Sequence, residues 1–348
     1  MSFLDKNGLS YFWSKLKSKH IDLKTNPHEV TAEQVNTYIK SDIDTKISDN
    51  LTSSKSYTDS EINKLQIFPK YTFWNVKNNS VYADLEYIYG NYACGGSRAV
   101  YSDDGITWKE IASGGVSNDL KFIIKTCSSS DPRIYIDASG NYYKVSSSVF
   151  SKLTGNFGTV TCVCYCGNTT YIANSSGTIS ACNTTGFSWF TVASLGVSIA
   201  EMVVDEENKK IYVFTNSSGK EVSVIDYNSS NAVTSYNVPI FDNITIKDVT
   251  IGNGYILVVG SSSIYRYKIG DDISNWTEIT GYGASTSKCV FNRGVFYLLK
   301  GTRIYVSADC ITWYLATFGV DIMSNLGCID NIVFGFHQYD KSETYHYV

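Results

Sequence analysis

The sequence predicts a mainly β protein, a seven-bladed β-propeller with six blades as the alternative, preceded by an N-terminal α-helical segment. Three observations predict it: composition breaks near residue 68, a strand-and-turn unit then recurs at intervals of about 40 residues, and several copies of that unit end on tryptophan. The 348 residues include 26 glycines and 27 tyrosines but only 4 prolines, with 14% aromatic and 18% charged side chains. That is enough apolar area to fold and too few charges for disorder. With 29 basic against 33 acidic residues, a net charge of -4, the chain is not a nucleic-acid binder of the phosphate-neutralising kind.

The helical part comes first. Through residue 70 the chain carries 10 lysines, no arginine and 9 acidic residues, and Gly8 is its one glycine; a helical segment gives way to turn-rich sheet near Phe68-Pro69. Leu4, Leu9, Phe12, Trp13 and Leu16 recur at helical intervals, so residues 1–20 read as an amphipathic helix whose apolar face needs a partner. Asn26-Pro27-His28 breaks the chain, and Thr31, followed by Glu33 and Gln34, offers an N-cap to a second run. There Val35, Ile39, Ile43, Ile47 and Leu51 are spaced by four. So thin a stripe suits packing against copies of itself, and residues 21–67 read as a short oligomerising stalk without the strict heptad of a coiled coil.

The second part, 68–348, restates one unit. Its clearest copies are YIYGNYACGGSRAVYSDDGITWKEI at 87–111 and VFYLLKGTRIYVSADCITWYLA at 295–316. Weaker copies at 169–192 and 254–279 keep the Trp, the copy at 133–145 places Tyr143 at that position, and the copy at 199–238 has lost it. Four short strands per unit is the pattern of a propeller blade, whose sheet is covered on both faces by its neighbours. Seven blades give about 40 residues each and six about 47. Six whole units begin near residues 81, 118, 159, 199, 246 and 286. The remaining pieces, a strand at 70–76 containing Trp74 and strands at 326–348, would close a seventh blade from both ends of the chain and remove an exposed edge.

No stretch approaches the roughly 20 apolar residues that span a bilayer, and the N-terminus lacks the pattern of a signal peptide. The nine cysteines are odd in number and form no disulfide framework, as expected of free thiols in a reducing compartment. Cys162, Cys164 and Cys166 alternate on one strand, where neighbours on a face sit about 6.6 Å apart; they read as buried apolar filler and not as a zinc knuckle. His20, His28, His337 and His346 have no ligand spacing. Asp205-Glu206-Glu207 reads as a hairpin tip and Cys94-Gly95-Gly96 as a turn. No cofactor, metal or catalytic constellation is expected, and the ligand-binding residues are unassigned.

The motif YSDDGITW, with Ser102, Asp104, Gly105, Thr107 and Trp108, and its looser copy Ser307, Asp309, Thr312 and Trp313, resembles the Asp-box turn of sialidase-like propellers, one residue shorter and with Cys310 in place of Gly. The Asp accepts backbone N–H bonds, the Gly supplies positive φ and the Trp packs between sheets. The resemblance implies a peripheral, structural turn. A sialidase would also need an arginine cluster, whereas Arg98, Arg133, Arg266, Arg293 and Arg303 are scattered along the units.

FLDKNGLSYFWSKLK, NPHEVTAEQV and SKSYTDSEINKL resemble segments of tail-fibre and baseplate proteins of bacteriophages and phage-tail-like particles, covering about the first 66 residues. That resemblance implies a virion structural protein whose N-terminal part attaches to other tail proteins and trimerises, while the distal domain touches a bacterial surface glycan or protein. It would reside on the particle tail after assembly in the bacterial cytoplasm. The expected function is therefore receptor binding without catalysis, nucleic-acid binding or membrane insertion; the alternatives are a glycan-cleaving sialidase-like hydrolase and a scaffold that binds only tail proteins.

Overall fold

The computed structural model describes residues 6–17, 43–54 and most of 85–346. The chain divides into Met1–Pro69 and Lys70–Val348. In the first unit Lys6–Leu16 is helical. Leu9, Trp13 and Leu16 are half-buried on one side, while Tyr11 and Phe12 are 65% and 55% exposed. Residues 43–54 form a second helix on which Ile47 and Leu51 are exposed. Each helix thus leaves large apolar side chains exposed, Tyr11 and Phe12 on the first and Ile47 and Leu51 on the second. The break at 26–28, the cap at Thr31, Val35, Ile39, His20 and His28 lie outside the described residues.

The second unit is a β-propeller. Six sheets each hold four antiparallel strands in sequence order. Their first strands are Tyr87–Tyr89, Leu120–Lys125, Val160–Cys166, Ile199–Asp205, Ile246–Gly252 and Thr286–Asn292, and the sheets are called blades 1 to 6 in that order. Met323–Ile329, Ile332–His337 and Ser342–His346 form a further, three-stranded sheet. First strands of successive sheets touch, and Met323–Ile329 touches both blade 6 and blade 1, so the sheets close into a ring. The expectation of seven complete blades is corrected: six are complete, the count held as the alternative, and the C-terminal sheet has three strands. The strand read at 70–76, which would add the fourth, lies outside the described residues.

The ring explains the apolar runs that lacked helical period. Core clusters straddle neighbouring blades: Val203, Phe214, Val258 and Trp276 join blades 4 and 5, and Leu257, Phe296, Leu298 and Trp313 join blades 5 and 6; a smaller one, with Ala93, Val100 and Trp108, lies within blade 1. Second strands are therefore buried on both faces, as in Tyr255–Gly260, where everything after Tyr255 is buried. Each large side chain so covered contributes roughly 1.5–3 kcal/mol. Between blades 4 and 5 the turn Pro239–Phe241 inserts Phe241, 0% exposed, edge-on against Trp276 and Tyr265.

A one-residue bulge recurs near the start of the first strand. The register shifts between Leu120 and Phe122, Ile199 and Glu201, Ile246 and Asp248, Thr286 and Lys288, and Met323 and Asn325; in blade 3 Val160 and Cys162 flank the same shift. A bulge leaves its extra residue unpaired and re-aims the next side chain. Phe122, Cys162, Glu201, Asp248, Lys288 and Asn325 thus occupy one class of position around the innermost strands.

Tyr143 does not take the place of the missing Trp in blade 2. It lies within the third strand, Tyr142–Ser146, and its hydroxyl donates to the buried Asp137 at 2.8 Å. Gly95 ends the second strand of blade 1, so the turn expected at 94–96 is confined to Gly96 and Ser97.

Candidate functional site

The Asp-containing turns are hydrogen-bonded devices. In blade 6 Asp309 Oδ1 accepts from Ser307 Oγ at 2.9 Å and from the N–H groups of Ile311 and Thr312 at 2.8 Å each. Burial alone would raise its carboxyl, but the Thr312 and Ile311 N–H groups and the two hydroxyls outweigh it and hold it below the ordinary carboxylate range. Cys310 has φ of 60°, the left-handed conformation for which glycine was expected, and Trp313 Nε1 donates to its carbonyl at 3.1 Å. In blade 1 Asp104 Oδ1 accepts from Ser102 Oγ at 3.0 Å and from Thr107 N–H at 2.7 Å, with Trp108 buried beside them; Gly105 lies outside the described residues.

A third turn of this kind was missed in the sequence. Asp272 Oδ1 accepts from Ser274 N–H at 2.9 Å and Ser274 Oγ at 2.7 Å, and Trp276 Nε1 donates to Ile273 O at 2.7 Å. Asp272 and Trp276 are four apart, like Asp104 and Trp108 or Asp309 and Trp313. The Asp-x-x-x-Trp spacing was the available signal; the absence of Gly and Thr concealed it.

This third turn walls a cavity of about 390 Å³ between blades 4 and 5. Tyr212, Tyr236 and Tyr267 line it, with Asn208, Lys210 and Asp271 among its polar groups. The second strand of blade 4 supplies Tyr212, the fourth strand Tyr236, and the third strand of blade 5 Tyr267. Tyr267 stacks on Trp276, centroids 5.1 Å apart and planes at 29°, and its hydroxyl donates to Asp271 O at 2.7 Å. Its ring is therefore fixed from behind and at the tip. Tyr212 lies 6.2 Å from Tyr267, while Tyr236 is 38% exposed at the rim. Burial, followed by the neighbouring phenol, pushes the Tyr212 hydroxyl up, and burial also raises Tyr267, so both stay neutral donors at ordinary pH. Asn208 donates to Asp205 Oδ2 at 2.8 Å, which holds its amide and confirms the hairpin read at 205–210.

A second concentration of chemistry sits on the bulge positions of blades 4, 5 and 6. Lys288 Nζ is 3.8 Å from Asp248 Oδ1, and the Cys289 N–H donates to Asp248 Oδ2 at 2.7 Å. Burial, then the charge of Asp248, lifts Glu201 to about 8 despite the opposing Lys288, so it carries a proton near neutral pH. Asp248 is raised by burial and drawn back by Lys288; Lys288 is raised chiefly by Asp248.

The remaining candidates are placed separately. Cys162, Cys164 and Cys166 pack with Tyr171, Ala173 and Ile179 in the core between blades 3 and 4, as the filler reading expected, and burial raises the Cys162 and Cys164 thiols well above their usual range. Among the described residues no three His, Cys, Asp or Glu side chains are grouped to hold a metal ion, and no helix is long and apolar enough to cross a membrane. Arg133 lies over Tyr92 at 4.1 Å, Arg266 over Tyr255 at 4.0 Å, and Arg98 pairs with Glu110 at 4.0 Å; Arg293 is in a turn with φ of 46° and Arg303 begins the third strand of blade 6.

No protein-family profile and no curated protein sequence matches the chain. Solved structures do. The WD40 β-propeller domain of Doa1 is 11% identical with a TM-score of 0.61, covering 80% of this chain and 97% of its own. Virginiamycin B lyase from Staphylococcus aureus is 9% identical with a TM-score of 0.61, covering 80% of this chain and 100% of its own. The extracellular domain of a putative hybrid two component system from B. thetaiotaomicron is 11% identical with a TM-score of 0.61, covering 79% and 40%. At these identities the likeness is one of fold: the chain is similar to β-propellers of differing function.

Proposed function

We propose that the chain is a structural receptor-binding protein of a phage tail or phage-tail-like particle, attached through residues 1–67 and displaying its propeller to a bacterial surface glycan or protein. The cavity carries this reading, because three tyrosines from two blades converge there beside an amide, a lysine and two carboxylates, the mixture that recognition surfaces use. The helices support the attachment role: Phe12, Ile47 and Leu51 are exposed and suit packing in an oligomer, with a trimer favoured by the resemblance of the N-terminal segments. Immunogold electron microscopy of particles from a producing culture tests it. Gold on the tail or baseplate is expected; antigen found free of every particle would overturn it.

The hydrolase alternative has one observation in its favour. Glu201 holds a proton near neutrality beside Asp248, a pairing of the kind that acid–base chemistry uses. Incubation with bacterial surface polysaccharide decides it: reducing ends released by the wild type and not by Glu201→Gln would establish the hydrolase, and binding without release would dismiss it.

A further inference from the structure

We propose that the cavity between blades 4 and 5 binds an uncharged pyranose of a surface glycan and discriminates against acidic sugars. This deepens the recognition reading above and rests on it. At about 390 Å³ the cavity is at the small end of ligand sites, which run from about 300 to 1,000 Å³, a fit for one or two sugar rings and too small for a folded partner. Its walls suit that ligand. Tyr236 is the exposed ring, 38% accessible, available to stack on the C–H face of a sugar, while deeper in the cavity the Tyr212 phenol can donate and accept and the Tyr267 phenol, its proton given to Asp271 O, can accept.

The site is also pre-organised. Trp276 backs Tyr267 and is itself pinned through Ile273 O, and Asn208 is held through Asp205, leaving its amide oxygen as an acceptor for a ligand hydroxyl. Little side-chain freedom is lost on binding. Charge sets the selectivity. Two carboxylates, Asp271 and Asp272, and one ammonium, Lys210, line the cavity, and no arginine does, so the fork geometry that captures a sugar carboxylate is absent from this lining.

The full-length chain is titrated by isothermal calorimetry with three probes: a galactose oligomer, a chitin oligomer and sialyllactose. Binding to a neutral oligomer, weakened at least tenfold in Tyr236→Ala and partly restored in Tyr236→Phe, is the expected result. Tyr236 is at the rim, so the variant should melt with the wild type and its loss of binding will not reflect misfolding. Stronger binding of sialyllactose, binding unaffected by Tyr236→Ala, or no binding to either neutral oligomer overturns the proposal. Adsorption to bacterial cells separates the two readings: cells bound equally by wild type and Tyr236→Ala leave surface recognition standing without this pocket, whereas cells bound by neither contradict recognition itself.

Discussion

Lys288 Nζ lies 3.8 Å from Asp248 Oδ1 across the first strands of blades 6 and 5, and this single ammonium stands against two carboxylates, because Glu201 on blade 4 is coupled to both. The groups facing Glu201 are Asp248, Lys288 and the thiols of Cys162, Cys164 and Cys289. One lysine cannot balance two half-buried anions, so the proton on Glu201 completes the neutralisation. A carboxyl raised in the folded state means that the native protein binds the extra proton between the ordinary Glu value and about 8. Stability is then fullest at and below the ordinary value and declines as pH rises through that window. Thermal melting from pH 5 to pH 8 should show this decline, and Glu201→Gln should flatten it. An unchanged slope in the variant would show that other groups set the pH dependence.

Removing the ammonium is more damaging than removing the proton. Lys288→Met leaves Asp248 facing Glu201 with no cation, and a cost of about 1–3 kcal/mol is expected for the stranded carboxylate. Urea unfolding of the variant and of the double variant Lys288→Met with Asp248→Asn checks the cause. Recovery of stability in the double variant identifies the unpaired charge; equal loss in both points to packing.

The turn at Asp309 acts in the opposite pH direction. Its carboxyl is depressed in the fold, so its contribution is present above the ordinary Asp value and is lost as pH falls through the folded value. Asp309→Ala removes the acceptor for Ser307, Ile311 and Thr312, at a cost of about 1–2 kcal/mol for a partly exposed turn. Denaturant titrations at pH 7 and pH 3 should give a smaller difference from wild type at pH 3.

At Gly140 the backbone itself is the constraint. Its φ is +78°, and a Cβ there would meet the Gly158 carbonyl oxygen at 1.8 Å, while Phe157 N–H donates to Gly140 O at 3.0 Å. Gly140→Ala therefore combines a left-handed conformation with a backbone clash between two tight turns. A loss of about 2–4 kcal/mol is expected in urea unfolding. The neighbouring Ser139→Ala, at an exposed position where the hydroxyl accepts from Asn118 Nδ2 at 3.0 Å, should cost no more than about 1 kcal/mol.

Much of the architecture was legible because blades are restated. The unit starts read at 118, 159, 199, 246 and 286 fall within two residues of observed first strands, and the Asp309 turn could be read from residue types alone because its chemistry is local. The cavity and the Glu201, Asp248 and Lys288 cluster were not legible. Each takes its residues from different repeats, and side chains at corresponding positions differ: the post-bulge residue is Phe122 in blade 2, Cys162 in blade 3 and Lys288 in blade 6. Sequence spacing marks a position within a unit but not what the ring brings beside it. Blade 4 was the hardest case, since it lacks the terminal Trp and its packing role passes to Phe241 in the linker and Trp276 of blade 5.

Adsorption to cells is the direct test of the proposed recognition of a bacterial surface by the propeller. Fluorescently labelled full-length protein is incubated with a panel of Gram-negative and Gram-positive cells, and bound protein is counted by flow cytometry against rising concentration. Saturable binding to a restricted set of strains, competed by unlabelled protein, is expected. Absence of saturable binding to every strain, with the protein folded and assembled on its particle, would contradict it and leave a scaffold that binds only other tail proteins.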